Sequence, residues 1–267
     1  MTTTDHWETS AVGAYEVLAP HYDCYSSGNN YVAWAELLLQ LARERGWAGS
    51  TVLDVGAGTG AIADVLAGLG LAVTGVDVSP AMIAQARATR HNGARFAVGD
   101  ARTLNLPDRF DLVVCTDDVL NYLLTAAEVA TSLAVMRRHL KPGALLMFDV
   151  NTLTVYRTSF AECRVVANRD CVLVRHGRGH GDFRPGEVCS VDLTIVESGA
   201  LGCRPTPVRH STHAQRHHPI SEIAQQVTDA GLDLLALLSP DHQAGTLVEY
   251  VDEAQSNKVI VVAIRRE

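Results

Sequence analysis

The 267-residue sequence contains no run of lysines and arginines, and its formal net charge is −8. Nucleic-acid binding rests on neutralising phosphates, so this composition argues against that class of partner. The six cysteines (24, 115, 163, 171, 189 and 203) show no C-x-x-C spacing and are scattered through apolar stretches. They are expected to be reduced thiols, and no metal site is expected. No apolar stretch approaches the roughly 18 residues that a membrane span needs. Met1–Ser10 is polar, without a basic segment leading into an apolar one, so no secretory leader is expected. There is no internal repeat and no low-complexity tract. These absences together point to a cytoplasmic protein with neither membrane nor nucleic-acid partners.

The length is generous for one minimal domain and short for two, which predicts a core with an inserted subdomain. The organising stretch is 51–60, Thr-Val-Leu-Asp-Val-Gly-Ala-Gly-Thr-Gly. Val52, Leu53 and Val55 read as a short buried strand. Gly56, Gly58 and Gly60 follow at once, and a helical run begins at Ala61. Glycines at such a corner permit positive φ and let a ligand lie against bare backbone. The next strand ends in Asp77, about 20 residues beyond the first glycine, where an acid can accept ribose hydroxyls.

The glycines alone leave the nucleotide open, since Gly56, Gly58 and Ala61 also satisfy a dinucleotide pattern. That keeps an NAD(P)-dependent oxidoreductase as an alternative, although a Tyr-x-x-x-Lys pair is missing. Asp54 favours the other choice. A carboxylate two residues before the first glycine opposes a pyrophosphate and suits a cationic ligand, an ammonium or a sulfonium.

D-V-G-A-G-T-G (54–60) followed by G-V-D-V-S-P-A-M (75–82) resembles the class I, seven-stranded SAM-dependent methyltransferases. F-A-V-G-D-A-R (96–102), F-D-L-V-V-C (110–115) and L-K-P-G-A-L-L-M-F-D-V (140–150) extend the resemblance in order. It implies an α/β, Rossmann-like, mostly parallel seven-stranded sheet with a reversed last strand, and S-adenosylmethionine (SAM) as cofactor. The first-loop residues Asp54, Gly56, Ala57, Gly58 and Gly60 would cradle it. Asp77, Val78 and Met82 would take the ribose and an adenine face. Gly99, Asp100 and Ala101 would meet the adenine edge, and Thr116 and Asp117 close the crevice after the fourth strand.

The segment His21–Asn30 reads as a polar, aromatic loop, and Tyr31–Arg45 as a helix. Their resemblance to the N-terminal lid of small-molecule methyltransferases implies Tyr22, Tyr31 and Trp34 near the cofactor and Tyr25 near the reacting atoms. Beyond residue 151 the pattern changes to β segments at 164–166, 171–176, 188–196 and 208–216, broken by Gly/Pro-rich stretches. They predict an antiparallel β insert capping the active site, whose exposed edges could pair two chains into a homodimer. The expected division is 1–46 lid, 47–155 core, 156–218 cap and 219–267 return to the core sheet.

Methyl transfer needs alignment, exclusion of water and, for some nucleophiles, a base. Tyr25, Asp118 and the histidines of 210–218 are the candidates, with His217 chosen from a strand face that also carries His213 and Gln215. The expected function is SAM-dependent N- or O-methylation of a small molecule, with a natural-product role suggested by resemblance. A SAM-binding protein using the cofactor for another transformation is the second alternative.

Overall fold

The computed structural model describes residues 10–169, 171–197, 208–241, 246–249, 252–254 and 256–266. Cys203 and residues 1–9 lie outside these. The chain begins with α1 (Ala11–Leu18), α2 (Tyr22–Tyr25) and α3 (Tyr31–Glu44). The alternating core follows: β1 (Thr51–Val55), α4 (Ala61–Gly68), β2 (Ala72–Asp77), α5 (Pro80–Thr89), β3 (Arg95–Val98), β4 (Phe110–Cys115), α6 (Ala126–His139) and β5 (Leu140–Asn151). After α7 (Leu153–Arg157) come β6 (Cys163–Ala167), β7 (Cys171–Gly177), β8 (Val188–Glu197) and β9 (Val208–Arg216). The described chain closes with α8 (Ile220–Asp229), β10 (Asp233–Asp241), β11 (Thr246–Glu249) and β12 (Lys258–Ile264).

The main sheet has the order β11-β10-β12-β5-β4-β1-β2-β3. Strands β1 to β5 pair in parallel, and β12 enters antiparallel between β5 and β10. The order reverses between β1 and β4, and a crevice at the carboxyl ends of such neighbours is where open α/β sheets hold ligands. Seven strands match the expected core. The eighth, β11, is a four-residue edge strand folded back on β10, too short for its alternation to be read from sequence.

Alternation through β4 explains the layering. Val113 and Cys115 join a core with Leu133 and Met136 of α6 and Ile223 and Val227 of α8. Leu112 and Val114 join the opposite core with Leu38 of α3, Leu66 of α4 and Ile83 of α5. Helix starts are set locally: Ser79 caps α5 with Pro80 in its first turn, and Thr125 with Glu128 forms a capping box on α6.

The insert is a separate antiparallel sheet, β6-β7-β8-β9. Its interior residues Leu173, Val191, Leu193 and Ile195 pack with Leu18, Tyr15 and Tyr22 of the N-terminal segment. The loop expected at 21–30 is in part helical: Pro20 lies inside a tight 3-10 turn over Ala19–His21, and α2 continues from it. Proline is tolerated there because the first turn of a helix needs no N–H donor. The five described cysteines are free thiols. No helix among the described residues is long and apolar enough to cross a membrane.

Candidate active site

The first loop is built by positive φ and then tied down. Gly56 has φ +77°, and a Cβ there would lie 2.3 Å from Val119 Cγ2. Gly60, at φ +81°, opens α4 against Phe96, whose Cζ a Cβ would meet at 2.5 Å. Asp77 fixes the loop from the next strand: its Oδ2 accepts the Gly58 N–H at 2.8 Å and its Oδ1 the Ser79 N–H at 2.9 Å. Burial raises the Asp77 pKa, with N–H donors of Ser79, Gly58 and Val78 opposing. A carboxylate has about four acceptor sites, so these N–H donors leave room for a further bond.

Asp54 is only 3 % exposed at the end of β1. Burial, then the charge of Asp77, raises its pKa to about 7, against an N–H bond from Ala63. Among the described residues no cation pairs with it. A buried carboxylate beside the loop and without a counter-ion fits a positively charged ligand and would repel a pyrophosphate.

Three adjoining cavities meet at this edge. The largest, about 390 Å³, is bordered by Gly56, Gly58, Asp77, Val78 and Met82 on one side. Gly99, Asp100, Ala101, Thr116 and Asp117 border it elsewhere. Asp100 is gripped by Arg102, whose Nη2 lies 2.6 Å from Oδ2 and whose own N–H meets Oδ1 at 2.8 Å. Those hydrogen bonds hold its carboxyl below the usual range. A small cavity of about 30 Å³ lies between Asp54, Ala57 and Tyr31. The third, about 300 Å³, opens beneath the cap sheet and is bordered by Tyr25, Asp118, Tyr122, His213 and Gln215. Tyr22 borders all three.

The turn after β4 joins them. Asp117 (φ +65°) and Asp118 (φ +60°) are both left-handed, a costly conformation outside glycine. Asp149 at the end of β5 holds the pair: its Oδ2 accepts the Asp117 N–H at 2.9 Å and its Oδ1 the Asp118 N–H at 2.8 Å. Lys258 of β12 supplies the counter-charge, 3.2 Å from Asp149 and 3.8 Å from Asp117. Its Nζ also lies 5.9 Å above the Trp34 ring. Asp118 Oδ2 accepts from Asn151 at 2.8 Å and Gln215 at 2.9 Å. Burial raises Asp118 to about 6, with Lys258 opposing and Asp117 adding. Across the cavity Tyr122 Oη lies 3.2 Å from His213 Nδ1, and Ser211 Oγ 3.2 Å from His213 Nε2. Burial, then Arg175, lowers His213 to about 4, so it is neutral at physiological pH.

The expected residues are therefore mostly brought together, with three exceptions. Trp34 borders none of the three cavities; it packs from α3 against the core, with Lys258 over its ring. Gly60 shapes the loop without bordering a cavity. His217 is fully buried away from them, with Nε2 2.5 Å from Glu253 Oε2 and its ring edge-on to Tyr156. The strand face was read with the right period; β9 ends at Arg216, and His213 borders the cavity while the His217 side chain, one residue further on, meets Glu253. Sequence reasoning passed over Asp149 and Lys258. The one available signal was that lysine occurs only twice in the sequence.

A doubly wound sheet with a glycine corner, a ribose-spaced acid and a cation-seeking carboxylate defines a class I SAM-dependent methyltransferase. The description of a methyltransferase domain matches residues 52–143. A protein of Geobacillus sp. (strain WCH70) named as a methyltransferase is 37% identical over 256 residues, covering 91% of this chain and 94% of that one. The chain belongs to this methyltransferase family. In structure it resembles a SAM-dependent methyltransferase from Clostridium acetobutylicum ATCC 824, with TM-score 0.77 and 18% identity over 94% of this chain and 98% of that one. A sugar N-methyltransferase from Streptoalloteichus sp ATCC 53650 shares the fold at TM-score 0.73 and 21% identity, covering 100% of this chain and 98% of that one.

Proposed function

We propose that this enzyme methylates a small-molecule acceptor, at nitrogen or oxygen, in the cavity beneath the cap sheet. The observation that carries the reading is that this cavity adjoins the cofactor cleft through Tyr15, Tyr22, Asp117 and Tyr122, which border both. When bound, SAM supplies a methyl group on a positively charged sulfur. Asp54 and the first loop would receive its cationic end, Asp77 its ribose and Asp100 its adenine. Tyr22 and Tyr31, whose hydroxyls each lie 3.4 Å from Asp117 Oδ2, wall the space between cofactor and acceptor.

Asp118 is the proton acceptor in this reading. With a pKa of about 6 it is ionised at neutral pH yet basic enough to take a proton from an amine or hydroxyl held near it. His213 is too weak a base for that task. It orients the Tyr122 hydroxyl at the cavity wall. Tyr25, half-buried in the same wall, positions the acceptor from the lid side. The sugar N-methyltransferase that shares the fold adds weight to nitrogen, and to a natural-product role.

The test is incubation with SAM and a panel of small amines and alcohols, reading S-adenosylhomocysteine release and a gain of one CH₂ per product. Asp118→Asn should reduce turnover by about 10²-fold or more while cofactor affinity stays the same. An accepted substrate methylated equally well by the variant would remove Asp118 from this role.

A further inference from the structure

The β6–β7 hairpin carries a charge arrangement that its own packing does not explain. Register places Arg164 directly opposite Arg175, and both border the cavity beneath the cap. Like charges opposed across a strand pair weaken it. Among the described residues neither guanidinium forms an ion pair with a carboxylate. Glu162, two residues earlier on the same edge of the cavity, pairs with neither.

Arg175 is held in place all the same. Its guanidinium lies 4.9 Å above the Phe160 ring, and Nη1 donates to the Ser159 carbonyl at 2.5 Å. Tyr25 borders the same cavity, and burial raises its hydroxyl pKa, with Arg175 and Arg164 opposing and Asp118 adding. A planar guanidinium fixed by stacking, with a second one facing it, matches the oxygens of a carboxylate or phosphate. Asp118, which borders the same cavity, carries the opposite charge, so the cavity presents both signs.

We propose that the methyl acceptor carries an anionic group, a carboxylate or a phosphate, seated between Arg164 and Arg175 while its methylated atom faces Asp118. This rests on the acceptor reading of the cavity given above. It narrows the substrate class to molecules with an anionic group at one end and a nucleophilic nitrogen or oxygen at the other.

The test uses the full chain loaded with S-adenosylhomocysteine, titrated calorimetrically with inorganic pyrophosphate and with citrate at constant ionic strength. At least one anion should bind, and binding should weaken about tenfold for Arg164→Gln, about tenfold for Arg175→Gln, and further in the double variant. Preference for pyrophosphate or for citrate tells a phosphate acceptor from a carboxylate one. Equal affinity of all variants for S-adenosylhomocysteine checks that they are folded. Absence of anion binding, or equal binding by the double variant, overturns the proposal. Methyl transfer that Asp118→Asn abolishes but neither anion inhibits would overturn the anionic acceptor alone and leave the acceptor cavity standing. Anion binding through the arginines, with methyl transfer neither inhibited by the anion nor changed by Asp118→Asn, would instead sink the acceptor reading, and this proposal with it.

Discussion

Asp54 turns burial into a pH dependence of cofactor binding. Its native pKa of about 7 lies above the unfolded value of 3.8, a difference worth about 4 kcal/mol of preference for the neutral form. The ligand-free native state holds this proton more tightly than the unfolded chain does. The stabilising contribution is full below pH 3.8 and is lost as pH rises through about 7. Cofactor binding runs the other way. A cationic ligand beside Asp54 needs the carboxylate, so SAM affinity should fall about tenfold for each pH unit below 7, until the pKa of the bound state is reached. Asp54→Asn should remove that slope and raise the stability of the ligand-free protein above pH 7. Asp77 and Asp118 also titrate upward of their ordinary range, but both persist in the variant, so the difference between the two proteins reports Asp54 together with its coupling to Asp77. Calorimetric titrations of SAM from pH 5.5 to 7.5 would measure it. Parallel curves for wild type and Asp54→Asn would refute the argument.

Three further outcomes follow from geometry already described. Gly60→Ala forces a Cβ into Phe96 at positive φ and should cost about 2–3 kcal/mol in denaturant unfolding; an unchanged midpoint would count against the tight corner. Lys258→Met leaves Asp149 and Asp117 without their counter-charge and should destabilise by about 3–5 kcal/mol. Because Lys258 lowers the Asp118 pKa, the acid limb of the pH–rate profile should also move upward from about 6; an unmoved limb would break the link. His217→Gln should lower stability by about 1–3 kcal/mol through loss of the buried imidazole's contact with half-buried Glu253. Its kcat per folded molecule should not change, and a specific loss of kcat would return His217 to the reaction.

The core was legible because its physics is local. Val52–Val55 and Phe110–Cys115 are short apolar runs buried on both faces, and the glycines and acids that bound them carry their own geometric reasons. The cap strands were legible from alternation and turn residues. What escaped depends on distance in the chain. Nothing near Lys258 tells that it lies beside Asp149, 109 positions earlier, since the pairing arises from β12 lying against β5. His217 and His213 part at a strand boundary: His213 lies within β9 and borders the cavity, while His217 falls one residue past its end. Arg164 and Arg175 became a pair only through hairpin register, which the sequence between them does not fix.

Because β12 is an interior strand, flanked by β5 and β10, it is late in order but central in place. The last strand in order closes the sheet between a pair of strands and the five of the nucleotide cradle, and it carries Lys258 with it. A chain without β12 would lack both the continuity of the sheet and the one cation beside Asp149 and Asp117 among the described residues.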